Sequence, residues 1–287
     1  MKIFKYLIES IFIYTFFLII KLLGLNNGRK LFSFIFNKIG PLIKSKKITN
    51  ENLERALGKD KSQNKKIISK MWSNYGMTFV EYLYLKSFKN TDSHISIKGT
   101  NILEKIIQED KPVIFVSGHF ANFELMSMEL CKKGINLATI YRPLNNFFLN
   151  PFMEFVRRKY VCKNQIKKGR FGTREAIEYI KKNYSVALMI DQRVSEGKLI
   201  PFFKKDSLTT TLPAQLAIRY KCNIVPVHII RKSNELFEME VYEPIDILKF
   251  EDSEKSKIEI SLKLNKIIEN MIIKEPSQWI WTHNRWK

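Results

Sequence analysis

From about residue 95 to the carboxyl end, short apolar runs alternate with helical patterns, and few folds accept that rhythm. The strand candidates are the runs at 112–117, 136–141, 185–190, 224–230 and 236–242, and the first is apolar almost throughout, as a strand covered on both faces is. Helical patterns occupy 101–108, 122–133, 147–159, 173–182, 210–220 and 256–273. The alternation predicts an α/β fold, with a mixed, mostly parallel central sheet flanked by helices. The run at 236–242 is expected as an antiparallel edge strand.

Open α/β sheets hold their ligands outside the carboxyl ends of the strands, so the residues that follow each run are the first candidates for chemistry. After 112–117 comes Gly118-His119-Phe120-Ala121-Asn122-Phe123-Glu124. With His119 in the turn and Glu124 in the first turn of the next helix, the carboxylate can reach one ring nitrogen and leave the other facing a cleft. An imidazole held in one tautomer in that way is a general base for a hydroxyl that attacks an acyl carbon. A satisfied histidine beside a helix-start glutamate fits the same spacing. Arg142 follows the second run and precedes Pro143, where it could hold a phosphate or an oxyanion; a plain surface arginine reads equally well. Asp191-Gln192-Arg193 follows the third run, with a turn-capping aspartate as the simpler reading. Lys167-Lys168-Gly169-Arg170-Phe171-Gly172-Thr173 is a basic loop before a helix, but it lacks the G-K-[ST] ending of a nucleotide-binding P-loop.

Residues 3–25 are apolar enough for the roughly 20 residues a bilayer span needs, interrupted by Lys5, Glu9 and Lys21. Glu9 sits badly in hydrocarbon, so the segment would tilt or lie partly in the interface. No small-residue cleavage site follows it, which argues against a signal peptide; a buried core helix remains open. Basic residues gather after it, at Arg29, Lys30, Lys38, Lys44, Lys46 and Lys47, and keep the body cytoplasmic by the positive-inside rule. Residues 31–36, 39, 42 and 43 form a second apolar patch that could press on the same surface. The chain therefore divides into an amino-terminal membrane anchor and interfacial segment, 1–43, and one large domain, 44–287. Within the latter, 44–70 reads as solvated helices and the aromatic-rich 71–85 as another helix.

The net charge of +21 implies a polyanionic partner, meaning nucleic acid, an anionic membrane face, or a phosphorylated or acidic-protein substrate. No nucleic-acid module pattern is present, so nucleic acid is not expected. Cys131, Cys162 and Cys222 are isolated, which argues against a disulfide framework and against a zinc site.

Taken together, G-H-F-A-N-F-E at 118–124, Y-R-P-L-N-N at 141–146, D-Q-R at 191–193, P-F-F at 201–203 and the ending W-T-H-N-R-W resemble the lipid A biosynthesis lauroyl/myristoyl acyltransferase family over nearly the whole chain. The resemblance implies an inner-membrane enzyme, its body on the cytoplasmic face. It would move a fatty acyl chain from acyl carrier protein to a hydroxyacyl chain of a Kdo-bearing lipid A precursor, without metal or organic cofactor. It also implies His119 as base and Glu124 as its orienting partner. Arg142 would lie near the reacting carbonyl or a glucosamine phosphate, with Asn122, Arg170 and Asp191 lining the site. Phe123 stands where many members carry tryptophan. Acyl transfer to another membrane lipid, such as a glycerophospholipid or a phosphatidylinositol mannoside, would use the same chemistry. An inactive adaptor of the same fold is the third reading.

Overall fold

The computed structural model describes residues 2–58, 61–233 and 236–287. Its centre is a seven-stranded sheet in the order β1-β9-β8-β2-β5-β3-β4. The strands are β1 (Ile95–Lys98), β2 (Ile114–Ser117), β3 (Leu137–Tyr141), β4 (Asn164–Lys167), β5 (Ser185–Met189), β8 (Ile224–Arg231) and β9 (Phe237–Val241); β6 (Lys198–Phe202) and β7 (Lys205–Thr209) form a separate hairpin. Strands β8, β2, β5, β3 and β4 run parallel, and β9 is antiparallel to β8. The mixed, mostly parallel sheet expected from the apolar rhythm is thus present. Strand β9 is not its edge, because β1 pairs with β9 on the far side.

The strands that the apolar pattern missed are the least buried. Strand β1 alternates half-buried and exposed residues, β4 reads Asn-Gln-Ile-Lys, and the β6–β7 hairpin carries four charged or hydroxyl residues in β7 alone. Edges and hairpins open to water need no continuous apolar run.

Helices α5 (Thr100–Glu109), α6 (Glu124–Lys132), α8 (Arg170–Lys181), α9 (Leu212–Tyr220) and α10 (Glu254–Lys274) lie within three residues of the sequence expectation. The 147–159 helix is shorter: α7 (Asn150–Val156) passes into a π-turn at Arg157–Val161. Upstream, α2 (Lys46–Leu57) starts on a Ser45 cap. The aromatic stretch from 71 is not a separate helix; it continues α3 (Lys61–Glu81), which is followed by a tight turn at Tyr82–Tyr84 and the short α4 (Leu85–Lys89).

The first helix, α1 (Lys2–Ile43), is long and apolar enough to cross a membrane by length and composition. Gly24 breaks it with φ 77° and ψ 173°. Beyond the break α1 packs closely on α3. A Cβ on Gly76 would lie 2.1 Å from the Phe32 carbonyl oxygen, so only glycine permits that approach. Two apolar layers, one around Ile114, Val186 and Leu264 and one around Phe115, Ala187 and Val225, cover opposite faces of the sheet.

Candidate active site

Strands β2 and β5 are neighbours in parallel register, with Ser117 opposite Met189. Two residues beyond that pair, each chain emits a polar group, and the two meet: the His119 Nδ1 lies 2.8 Å from Asp191 Oδ1. The His119 backbone N–H donates to Asp191 Oδ2 at 3.0 Å, and Trp279 Nε1 donates to the same oxygen at 2.8 Å. Gly118 makes the close approach possible, since a Cβ there would come within 3.2 Å of the Asp191 side chain and 2.7 Å of the Phe120 ring.

Burial by itself would raise the Asp191 carboxyl. The adjacent His119 ring and the three hydrogen bonds outweigh it and hold the group at about 2. An ionised Asp191 fixes the proton on Nδ1, so Nε2 keeps its lone pair. Nε2 makes no hydrogen bond to any described residue, and the ring lines an apolar cavity of about 260 Å³ with Phe36, Thr78, Phe79, Tyr82 and Phe123.

The sequence assigned the orienting role to Glu124, and the structure corrects this. Glu124 opens α6 as expected, but its Oε1 accepts from Arg157 Nε at 2.8 Å and from the Tyr82 hydroxyl at 2.9 Å, with Arg157 Nη2 at 2.6 Å. A guanidinium only 11 % exposed needs a counter-charge, and Glu124 is the carboxylate that meets it. Burial works against the Arg157 charge, yet Glu124 outweighs it and raises the group above its ordinary value. Burial and the same carboxylate push the Tyr82 phenol up. Tyr82 brings this second cluster to the wall of the cavity that His119 lines.

Asn122 lies beneath the site rather than on it. It is 1 % exposed and donates to Glu81 Oε2 at 3.0 Å. Glu81 is wholly buried between Arg29 Nε, at 2.8 Å, and Arg231, whose Nη2 stands at 3.0 Å and whose Nη1 is in direct contact. The same support reaches Ala121, which holds φ 43°: its N–H donates to Gln278 O and its carbonyl accepts from Thr78. Such a conformation costs an alanine on the order of 1 kcal/mol, and fixed neighbours sustain it. Arg142 and Arg170 emerge at the ends of β3 and β4, both exposed, and neither guanidinium bonds to a described residue. The structure brings His119 and Asp191 together and does not bring Arg142 or Arg170 to them.

Sequence reasoning missed Arg157, Tyr82 and the Glu81–Arg231 pair. Arg157 sits in an Arg-Arg-Lys run that reads as a solvated face. Glu81 gave the only signal, a lone acid in an otherwise aromatic stretch. The carboxyl-terminal motif is structural. Trp279 holds Asp191, His283 Nε2 accepts from the Arg193 N–H at 2.9 Å, and buried Arg285 donates to Leu208 O and Thr209 Oγ1. Burial lowers His283 to about 4, which keeps it a neutral acceptor. Among the described residues no cluster of His, Cys, Asp and Glu could hold a metal ion.

A family model described as bacterial lipid A biosynthesis acyltransferase matches residues 1–287. The chain belongs to that family. It is 26 % identical over 275 residues to the lipid A biosynthesis palmitoleoyltransferase of Escherichia coli strain K12, covering 88 % of this chain and 84 % of that one. The lipid A biosynthesis acyltransferase of Shigella flexneri gives the same figures. A second Shigella flexneri protein, lipid A biosynthesis acyltransferase 2, is 24 % identical over 187 residues, covering 64 % and 58 %. The chain is an acyltransferase, and its apolar amino-terminal helix fits a membrane location.

Proposed function

We propose that this acyltransferase moves a fatty acyl chain from acyl carrier protein to a hydroxyacyl chain of a Kdo-bearing lipid A precursor, with His119 Nε2 as the general base. The observation that carries the reading is the His119–Asp191 pair opening on an apolar cavity of about 260 Å³. Asp191 orients the ring and offsets the charge it gains. Nε2 takes the proton of the acceptor hydroxyl as its oxygen attacks the thioester carbonyl carbon. The tetrahedral intermediate collapses, the carbon–sulfur bond breaks, and the imidazolium returns the proton to the departing thiolate. Glu124 serves by holding Tyr82, a residue of the cavity wall, in the cluster it forms with Arg157. An apolar cavity suits the acyl chain, and Arg142 and Arg170 suit the phosphates of the acceptor.

The acceptor and donor set the location: the body works on the cytoplasmic face of the inner membrane. The charge of +21 suits both partners, an acidic carrier protein and a phosphorylated lipid, and its steering of the carrier weakens as salt rises. The test is acyl transfer by the purified protein with acyl carrier protein as donor, across lipid A precursors, glycerophospholipids and phosphatidylinositol mannosides. Transfer confined to the last two acceptors would overturn the proposal.

A further inference from the structure

We infer that the first half of α1 lies in the plane of the membrane surface and does not cross the bilayer. The inference rests on reading this helix as the membrane anchor and goes beyond it by fixing its orientation. The contacts of residues 2–23 decide it. One face of the helix runs along the body: Asn146 Nδ2 donates to Tyr6 O at 2.9 Å and lies 3.4 Å from Glu9 Oε2. The Tyr14 hydroxyl donates to Phe148 O at 3.0 Å, and the Phe17 ring stands 5.2 Å from Phe152 and 5.3 Å from Phe79. Ile20 is fully buried against Phe32 and Val80, and Lys21 Nζ donates to Leu83 O at 3.3 Å. The contacts from Tyr6 to Lys21 thus follow about 22 Å of helix at 1.5 Å per residue.

A helix crossing the roughly 30 Å of hydrocarbon would carry everything along that length with it. Residues 142–149 are irregular, with backbone groups that no ladder satisfies, and lipid-exposed backbone of that kind is not tolerated inside a bilayer. Laid in the interface, the same helix keeps its contacts and turns its other face to the lipid. That face carries Phe4, Leu7, Ile8, Ile11, Leu18 and Leu22, all exposed and recurring at the intervals that put residues on one side of a helix. Glu9 is then explained, since it stands at headgroup level beside Asn146 and Lys5. Beyond the Gly24 break, Leu31, Phe34, Ile39, Leu42 and Ile43 continue the exposed apolar surface.

Sidedness tests the inference in the full-length, membrane-bound protein. Protease sites are placed before Lys2 and after Lys287 and probed in spheroplasts and in inverted inner-membrane vesicles. An in-plane helix gives cleavage of both sites in inverted vesicles and of neither in spheroplasts. Cleavage of the two sites from opposite faces would overturn the in-plane helix and leave the acyltransferase reading standing. A benzophenone amino acid at Ile11 supplies the second readout, with a phospholipid adduct expected by mass. A protein that leaves the membrane fraction and forms no adduct at Ile11 would overturn the inference together with the membrane reading.

Discussion

Two buried carboxylates stand near His119, and they are satisfied in opposite ways. Asp191 is held by neutral donors and by an imidazole, so its charge is answered by a group that can gain and lose a proton. Glu124 is held by a permanent cation and a phenol. A carboxylate already matched by a guanidinium has little attraction left for a developing imidazolium; one matched by neutral donors keeps most of it. Closeness in sequence pointed to Glu124, five positions from His119, whereas the acid that bonds to the ring is Asp191, seventy-two positions away.

The sharpest break in this comparison is the base itself. His119→Ala should lower kcat by up to about 10⁴-fold, the top of the range for general base catalysis, while the protein stays folded and membrane-bound. Purified His119→Ala with near-normal acyl transfer would end the mechanism. Next comes the matched pair. Glu124→Gln leaves the Arg157 charge buried without its partner and should cost about 3–5 kcal/mol of stability, read as a lowered thermal midpoint in detergent. The same variant loses acyl transfer as Arg157 and Tyr82 shift, but the pH profile of its residual activity keeps its shape. Adding Arg157→Met should return much of the lost stability, and additive effects would mean the ion pair is not the source.

Asp191→Asn should lower kcat by about 10²- to 10³-fold and move the acid limb of the kcat/KM profile to lower pH, since the imidazolium loses its counter-charge. An unmoved profile would make Asp191 and Glu124 alike. A smaller effect separates the cores from the site. His228 is fully buried with no hydrogen-bond partner for either ring nitrogen among the described residues, and burial lowers it to about 4. The unfolded chain takes up that proton near 6.5 and the folded protein does not. Stability is therefore flat above pH 6.5 and falls by about 3 kcal/mol as the pH drops to 4. His228→Met should remove that slope from the pH dependence of unfolding. Least of all, Arg142→Ala should raise KM for a phosphorylated acceptor by about three- to tenfold with kcat unchanged, as befits one solvated charge.

The parallel strands were legible because burial on both faces writes an unbroken apolar run, and the residues after each run located His119, Arg142 and Asp191 at strand ends. The meeting of His119 with Asp191 was not legible. It depends on β2 and β5 being sheet neighbours with β3 on the far side of β5, and no local pattern states strand order. Arg157 was hidden for a related reason, since its partner lies 33 residues away and its neighbours are basic. Strands β1 and β4 were hidden because edges tolerate polar residues.

The hold of Trp279 on Asp191 has a consequence for how the protein is made. The contact closes 88 residues, and Asn52 reaches 229 residues to bond the carbonyl of Trp281. Contacts so distant along the chain form late, because the loop they close must be ordered first. During synthesis, the strand ends that carry His119 and Asp191 leave the ribosome well before residue 279 does. A growing chain can therefore reach the membrane surface with its sheet assembled and still lack the indole that holds Asp191 in place.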